Sequence, residues 1–184
     1  MQQSAIGIGL PEKMEMNYDE KGLVIVRRWF GAITIFLTVF VIFWDGFLVY
    51  WYTHVPADAP SMALWFPMLH VAVGLFLTYR ALAGWLNRTY VRVGYGTVSV
   101  KTVPLPFFHN RSLAAAEIKQ LYSKKRIRTN KGRKSETFEV RAVTQQGKNV
   151  KLVGGLDSSE QALFLEEAIE KNLGIKDAPV KREL

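Results

Sequence analysis

The sequence predicts an α-helical membrane hairpin attached to a cytoplasmic α+β domain. Residues 29–52 carry one charged side chain, Asp45, and residues 62–79 carry none, with His70 as the only side chain there that titrates near neutral pH. A helix needs about 20 predominantly apolar residues to cross a bilayer, so each run is long enough to span. The chain beyond them alternates apolar and polar residues as strands do, and then carries a capped amphipathic helix.

Composition limits the chemistry that the chain can perform. It has 184 residues, a net charge of +8 and no cysteine, which excludes disulfides, thiolate catalysis and cysteine metal sites. Its histidines, His54, His70 and His109, have no ligand-like spacing, so we expect no metal and no other cofactor. The soluble part offers no Ser-His-Asp set and no paired carboxylates, and we therefore expect no enzymatic activity.

The cations around the two apolar runs predict the orientation of the hairpin. The loop between the runs, residues 53–61, contains no Lys or Arg, whereas cations precede the first run and stand at or beyond the end of the second. By the positive-inside rule, both termini lie in the cytoplasm and the loop lies outside. A two-pass hairpin without cysteine suits a bacterial inner membrane. The flanking cations are Arg27, Arg28, Arg80, Arg88 and Arg92.

The apolar runs divide the chain into four segments. In the first, "MEMNY" and "LVIVRRW" flank "DEKG" in the pattern of a β-hairpin. The sequence leaves open whether this hairpin joins the sheet of the later domain. The predicted boundaries are 1–28 for the N-terminal segment, 29–86 for the membrane part with helices over about 29–52 and 62–85, 87–174 for the folded domain, and 175–184 for a flexible tail.

The folded domain is predicted to contain five strands and a final helix. The strand candidates are "TYVRV", "TVSVKTV", residues 118–127, "TFEVRAVT" and "NVKLVGGL". Asp157 or Ser158 can cap the helix, with Glu160 or Gln161 completing a capping box, and Gly174 stands where the helix should end. The apolar positions at helical spacing are Ala162, Leu165, Ile169 and Leu173.

With the first hairpin included, the tally is seven strands and one C-terminal helix. This order resembles the pleckstrin-homology fold, and the chain resembles the bacterial pleckstrin-homology-like membrane proteins, in which helices adjoin such a domain. The resemblance rests on "GTVSVKTVPLP", "FEVRAVTQQGKNVKLVGGL" and "DSSEQALFLEEAIEKNLG" and covers about half of the chain. It implies an antiparallel β-sandwich or barrel used to bind lipid head groups, peptides or proteins. It implies no inherited chemistry.

The stretch "SKKRIRTNKGRKSE", residues 123–136, carries the densest charge. One interpretation is a solubilising loop between two strands, and another is a site for anionic lipids or an acidic partner, since cations near an acidic leaflet are attracted to it. Nucleic acid is a less favoured partner, because aromatic side chains are not interleaved with the cations. The cations are Lys124, Lys125, Arg126, Arg128, Lys131, Arg133 and Lys134.

Asp45 and His70 are predicted to face one another within the membrane. They lie at equal distances from the centre of the loop, so at 1.5 Å per residue they should be level with each other. Each also belongs to a row of small or hydroxylated residues, which let membrane helices approach closely. The helix-packing residues on these rows are Gly31, Thr34 and Thr38 on the first helix, and Ala63, Gly74 and Thr78 on the second.

Three roles remain open for this pair: a hydrogen bond that fixes helix register, a docking site for another membrane subunit or a second copy, and a proton path. Two functions follow. The favoured one is a membrane interaction module, acting as scaffold, assembly factor or regulatory subunit, that presents a basic domain in the cytoplasm. The alternative is a small subunit of a transport or respiratory complex in which Asp45 and His70 handle protons.

Overall fold

The structure is a computed structural model, and it describes residues 9–107, 110–130 and 133–175, apart from the side chains of Asn130 and Arg133. The chain divides into two compact units. One is Trp29–Asn87, and the other combines the chain before it with the chain after it. His109, Lys131 and the predicted tail after Ile175 lie outside the described residues.

The unit Trp29–Asn87 consists of antiparallel helices. Helix α1 spans Ala32–His54, α2 spans Met62–Trp65 and α3 spans Met68–Leu86. Pro67 separates α2 from α3, and its missing N–H explains a break that apolarity alone does not reveal. Helix α1 begins three residues later than predicted, because Gly31 has extended backbone angles.

Both arms of this unit are long and apolar enough to cross a membrane. The mean hydropathy is 2.2 for Ala32–His54 and 1.6 for Met62–Leu86. Only 17% and 11% of the most apolar window of each arm is buried. Helices of a soluble core would bury such surface, whereas these helices leave most of their large apolar side chains exposed.

The other unit contains two antiparallel sheets. The first sheet has five strands in sequence order, and the second has three. The strands of the first are β1 (Met14–Asp19), β2 (Gly22–Arg28), β3 (Arg88–Gly94), β4 (Thr97–Val103) and β5 (Arg111–Ala114). Those of the second are β6 (Ile118–Asn130), β7 (Arg133–Thr144) and β8 (Asn149–Leu156).

The first hairpin belongs to the sheet, which answers the question that the sequence left open. Strand β2 pairs with β3 from Leu23↔Val93 to Arg28↔Arg88. The segment Trp29–Asn87 is therefore inserted between two neighbouring strands of one domain.

The described residues contain eight strands, whereas the sequence predicted seven. The additional strand, β5, has only four residues, and Leu113 is its one half-buried large apolar side chain. Such a short edge strand has too few alternating positions to be recognised from its sequence.

One hydrophobic core joins both sheets to the final helix, α4 (Ser159–Leu173). The predicted positions Ala162, Leu165 and Ile169 are almost completely buried, and Leu173 packs at the margin. Core side chains from the sheets include Leu23, Ile25, Val91, Val93, Leu121, Val140 and Leu152.

The ends of α4 follow the predicted punctuation. Ser158 Oγ accepts a hydrogen bond from the N–H of Gln161 at 3.2 Å, so Ser158 is the capping residue. The Gln161 side chain accepts from the N–H of Asp157 at 3.0 Å, which is one residue earlier than a standard capping box. Gly174 ends the helix in the left-handed conformation with φ 67°, which suits a residue without Cβ.

Arg27 ties the first hairpin to the start of α4. Its side chain lies on the core-facing side of β2, and its Nη2 donates to Gly155 O at 2.6 Å and to Asp157 Oδ1 at 3.3 Å. Lys13 reaches the other oxygen of Asp157 at 3.0 Å. Burial lowers the pKa of Arg27, and the nearby Asp157 carboxylate opposes this effect.

Replacing Arg27 with Ala should lower the free energy of unfolding by about 2–3 kcal/mol, because a buried hydrogen bond to a charged group is lost and Gly155 O loses a donor. The control is Arg28→Ala, whose ion pair with Glu15 is exposed on both sides and should contribute less than about 1 kcal/mol. Denaturant unfolding of the full chain in detergent micelles measures both values. Equal losses would contradict the role assigned to Arg27.

Candidate functional site

The helical unit contains a close contact between α1 and α3 near the start of α1. A Cβ added to Gly84 would lie 2.5 Å from Thr34 Oγ1 and 2.7 Å from its Cγ2, so only glycine fits there. Thr38 Oγ1 accepts a hydrogen bond from Trp85 Nε1 at 2.8 Å. The predicted packing residues Thr34 and Thr38 therefore lie at the helix interface.

The opposite end of the hairpin is fixed by aromatic side chains that donate to backbone carbonyls. Trp51 Nε1 donates to Ala63 O at 3.1 Å, and Tyr52 Oη donates to Leu64 O at 3.0 Å. These carbonyls lie in the four-residue helix α2. Ala63, one of the predicted packing residues, therefore contributes to this contact through its backbone oxygen.

Asp45 lies at the interface between these two ends. Its Oδ2 accepts a hydrogen bond from Thr78 Oγ1 at 2.6 Å. Its Oδ1 lies over Gly74, where an added Cβ would overlap this oxygen and approach Trp44 Cδ1 to 3.2 Å. Gly74 and Thr78 are one turn apart on α3, and together they make the space and the donor that receive the carboxylate.

His70 has different neighbours. Its ring stacks near Trp44, with centroids 5.7 Å apart, and near Phe66 at 5.3 Å. Its Nδ1 is buried without a hydrogen-bond partner among the described residues. The predicted contact between Asp45 and His70 is therefore wrong: the carboxylate binds Thr78, and the imidazole lies among aromatic rings.

The direction of helical side chains explains this correction. Every Cα–Cβ bond tilts toward the N-terminus of its own helix. In an antiparallel pair, Asp45 on α1 consequently points away from the connecting loop, whereas His70 on α3 points toward it. The side chains of Asp45 and His70 therefore point in opposite directions along the helix axes, although their backbones lie at a similar depth. Asp45 meets Gly74 and Thr78 instead, and Gly74 is about 6 Å beyond His70 along α3.

The environment of Asp45 leaves the carboxylate poorly compensated. An ionised aspartate near the centre of a bilayer costs about 2.5–3.5 kcal/mol on insertion scales. A polar contact between membrane helices contributes about 0.6 kcal/mol on average and at most about 1.7 kcal/mol. Thr78 is the one side chain of the described chain that donates to Asp45, and within a bilayer this hydrogen bond alone would not offset the cost.

An open groove of about 430 Å³ lies beside Asp45 on the surface of the helical unit. Its walls are otherwise mostly apolar. Tyr52 and Thr53 also line it, but their hydroxyls donate to Leu64 O and Val49 O. The remaining lining residues are Leu48, Val49, Val71 and Leu75.

The described part of the predicted basic stretch lies on paired strands β6 and β7, and we call residues 124–130 and 133–137 the basic ribbon. Strand β8 pairs with β7 only from Phe138 onward, so the ribbon has two strands without a third beside it. Lys124, Arg126 and Arg128 alternate along the face of β6 opposite to the one that carries buried Leu121.

Register determines which of these cations are neutralised. Lys125 pairs with Glu136 at 2.7 Å, and Arg126 lies 3.9 Å from Glu139. Glu139 also binds Arg141 at 2.9 Å. Within the described chain, Lys124, Arg128 and Lys134 have no carboxylate within ion-pair distance. Lys131 and the side chain of Arg133 lie outside the described residues.

Ile127 is a residue of the ribbon that sequence reasoning missed. It is 53% exposed and stands between Arg126 and Arg128. It continues the core-facing row of β6 beyond the point where β8 ends, so the core does not cover it. The signal was an apolar residue enclosed by cations in a predicted strand.

Gly74→Val and Gly84→Val should each separate the helices, because the new side chains would overlap Asp45 and Thr34. We expect the unfolding temperature of the full chain in detergent to fall by several degrees for each. Gly46→Val on α1 is the matched control, since a Cβ there meets no atom within 4 Å. Intrinsic tryptophan fluorescence during heating measures the change. A control that destabilises as strongly would refute the close packing at Gly74 and Gly84.

Comparison with known proteins assigns no family to this chain. No family model matches the sequence, and no curated protein matches it. The helical unit and the basic ribbon are therefore the features that indicate a function.

Proposed function

We propose that this chain is an integral membrane interaction module whose helical hairpin spans the bilayer and whose β domain presents the basic ribbon to anionic lipids on the cytoplasmic face. It would act as a scaffold, assembly factor or regulatory subunit in a bacterial inner membrane. The observation that carries the proposal is the combination, in one chain, of two exposed apolar helices with a ribbon in which Lys124, Arg128 and Lys134 have no carboxylate partner among the described residues.

The position of cations along the chain supports the orientation. Lys and Arg are absent from Trp29 to Tyr79, and the connecting loop is part of that range. Strands β2 and β3, which adjoin the helices, carry Arg27, Arg28, Arg88 and Arg92. By the positive-inside rule, this distribution supports a cytoplasmic position for these strands and for both termini.

The ribbon has the chemistry of a lipid-binding element. Lys124, Arg128 and Lys134 would each gain about 1 kcal/mol near an anionic leaflet, or about 3 kcal/mol together. Ile127 shares its face of the ribbon with Lys134, opposite Lys124 and Arg128, and would add apolar contact with the acyl boundary.

The pleckstrin-homology-like assignment also belongs to this proposal. It is supported by two antiparallel sheets, a single core and a capped C-terminal helix packed on both sheets. Proton handling by Asp45 and His70 has less support, because the carboxylate binds Thr78 and not the imidazole.

The orientation can be tested with introduced cysteines, since the natural chain has none to react. In spheroplasts of a bacterial host, Asp58→Cys in the loop should react with a membrane-impermeant maleimide. Ser135→Cys in the ribbon should react only after permeabilisation. The natural chain is the blank. The reverse pattern would overturn the proposed orientation.

Lipid binding can be tested with a polarity-sensitive fluorophore on Ser135→Cys in proteoliposomes. Emission should shift to the blue with anionic lipid but not with neutral lipid alone, and high salt should reverse the shift because it screens the charges. Adding Lys124→Glu, Arg128→Glu and Lys134→Glu should abolish the shift.

The matched control for that experiment reverses three exposed cations outside the ribbon, Lys21, Lys101 and Lys148, and changes net charge equally. It should keep the shift. If both triple variants behave alike, net charge alone governs the response. If neither responds to anionic lipid, an acidic protein becomes the better candidate partner.

A further inference from the structure

We propose that the groove beside Asp45 docks a transmembrane helix of a different membrane protein, and that this helix carries a lysine or arginine that binds the Asp45 carboxylate. The inference rests on the membrane insertion proposed above and specifies the partner of the hairpin. Its basis is charge complementarity. The groove is mostly apolar and contains one carboxylate, which a cation on the partner helix would complement.

The carboxylate has unused capacity to accept hydrogen bonds. An ionised aspartate has about four acceptor positions, and the described chain fills one of them, from Thr78. Asp45 is half-buried and lines the groove, so a group seated there can reach it. Both other polar side chains of the groove, Tyr52 and Thr53, already donate to backbone carbonyls.

The apolar walls make a helix the appropriate occupant. Val49 and Leu75 are largely exposed on opposite sides of the groove, one on α1 and one on α3. Membrane helices associate by packing and by polar contacts, because lipid provides little hydrophobic drive between them. A helix in this groove would pack on both arms while its cation meets Asp45, and a carboxylate would no longer face lipid alone.

The hairpin itself supplies no lysine or arginine level with Asp45. No Lys or Arg occurs from Trp29 to Tyr79. Arg80 is the first cation beyond, two residues or about 3 Å along α3 past Thr78, the residue that binds Asp45. It also faces roughly the opposite side of α3 from Thr78, and it interacts elsewhere in the chain. A second copy in the same orientation would bring no cation except Arg80 near this depth, and Arg80 already interacts within its own chain, which favours a different protein.

A defined peptide can test this docking without knowledge of the natural partner. The probe is a labelled Leu/Ala transmembrane peptide with one lysine, placed at the depth of Asp45 or one or two turns away. Energy transfer in neutral vesicles reports its association with the full chain, labelled at Asp58→Cys. The lysine peptide at matching depth should associate at least tenfold more tightly than a peptide with leucine at that position.

Two variants of the chain separate the contribution of the Asp45 charge to peptide binding from that of packing in the groove. Asp45→Asn keeps an acceptor for Thr78 but should lower association of the lysine peptide about tenfold and leave the leucine peptide unchanged. Val49→Trp should block the groove and weaken the association of the lysine peptide, although Asp45 is unchanged. Phe43→Trp, at an exposed site on α1 that does not line the groove, is its matched control and should have no effect.

Three results would overturn the proposal. Equal binding of lysine and leucine peptides would remove the charge recognition, and a glutamine peptide as tight as the lysine peptide would remove the need for a cation. Self-association that Arg80→Gln abolishes would assign the groove to a second copy. Resistance of the chain to carbonate extraction from the same vesicles reports insertion independently, so failure of docking is distinguishable from failure of the proposed function.

Discussion

The pairing of β2 with β3 is the constraint on which the rest of the chain depends. Arg28 and Arg88 are register partners, so their Cα atoms are held about 5 Å apart although 59 residues separate them. A backbone hydrogen bond from Trp29 to Asn87 extends the ladder by one step. The inserted segment must therefore return to its starting point, and two antiparallel helices of similar length are the simplest apolar structure that does so.

Sequence patterns predicted those parts of the molecule that depend on neighbours along the chain. The cap at Ser158, the stop at Gly174 and the alternation of Val140 and Ala142 are local, and the structure confirms them. The partner of Asp45 depends on two helices at once. Counting residues from the loop gave a nearly correct depth, but only the opposed tilt of side chains on antiparallel helices selects Thr78 over His70.

The same distinction applies to the ribbon. Its cations were evident from the sequence, but their neutralisation depends on diagonal contacts across the strands, such as Lys125 with Glu136, which require the register. The exposure of Ile127 depends on where β8 stops, and a single strand pattern contains no such information. Local patterns locate charge, and pairing decides which charge remains available to a partner.

Asp45 shows why a charge without an ionic partner in its own chain is a better guide to function than the mere presence of a charge in the sequence. An asparagine at this position could accept the same hydrogen bond from Thr78 without placing an ionised group in an apolar environment. In a bilayer, a carboxylate at this position would therefore add a desolvation cost, and within this chain it makes no contact that a neutral side chain could not make. In the proposed complex, a cation of the partner helix would offset that cost and would make docking selective for a helix with a basic residue at one depth.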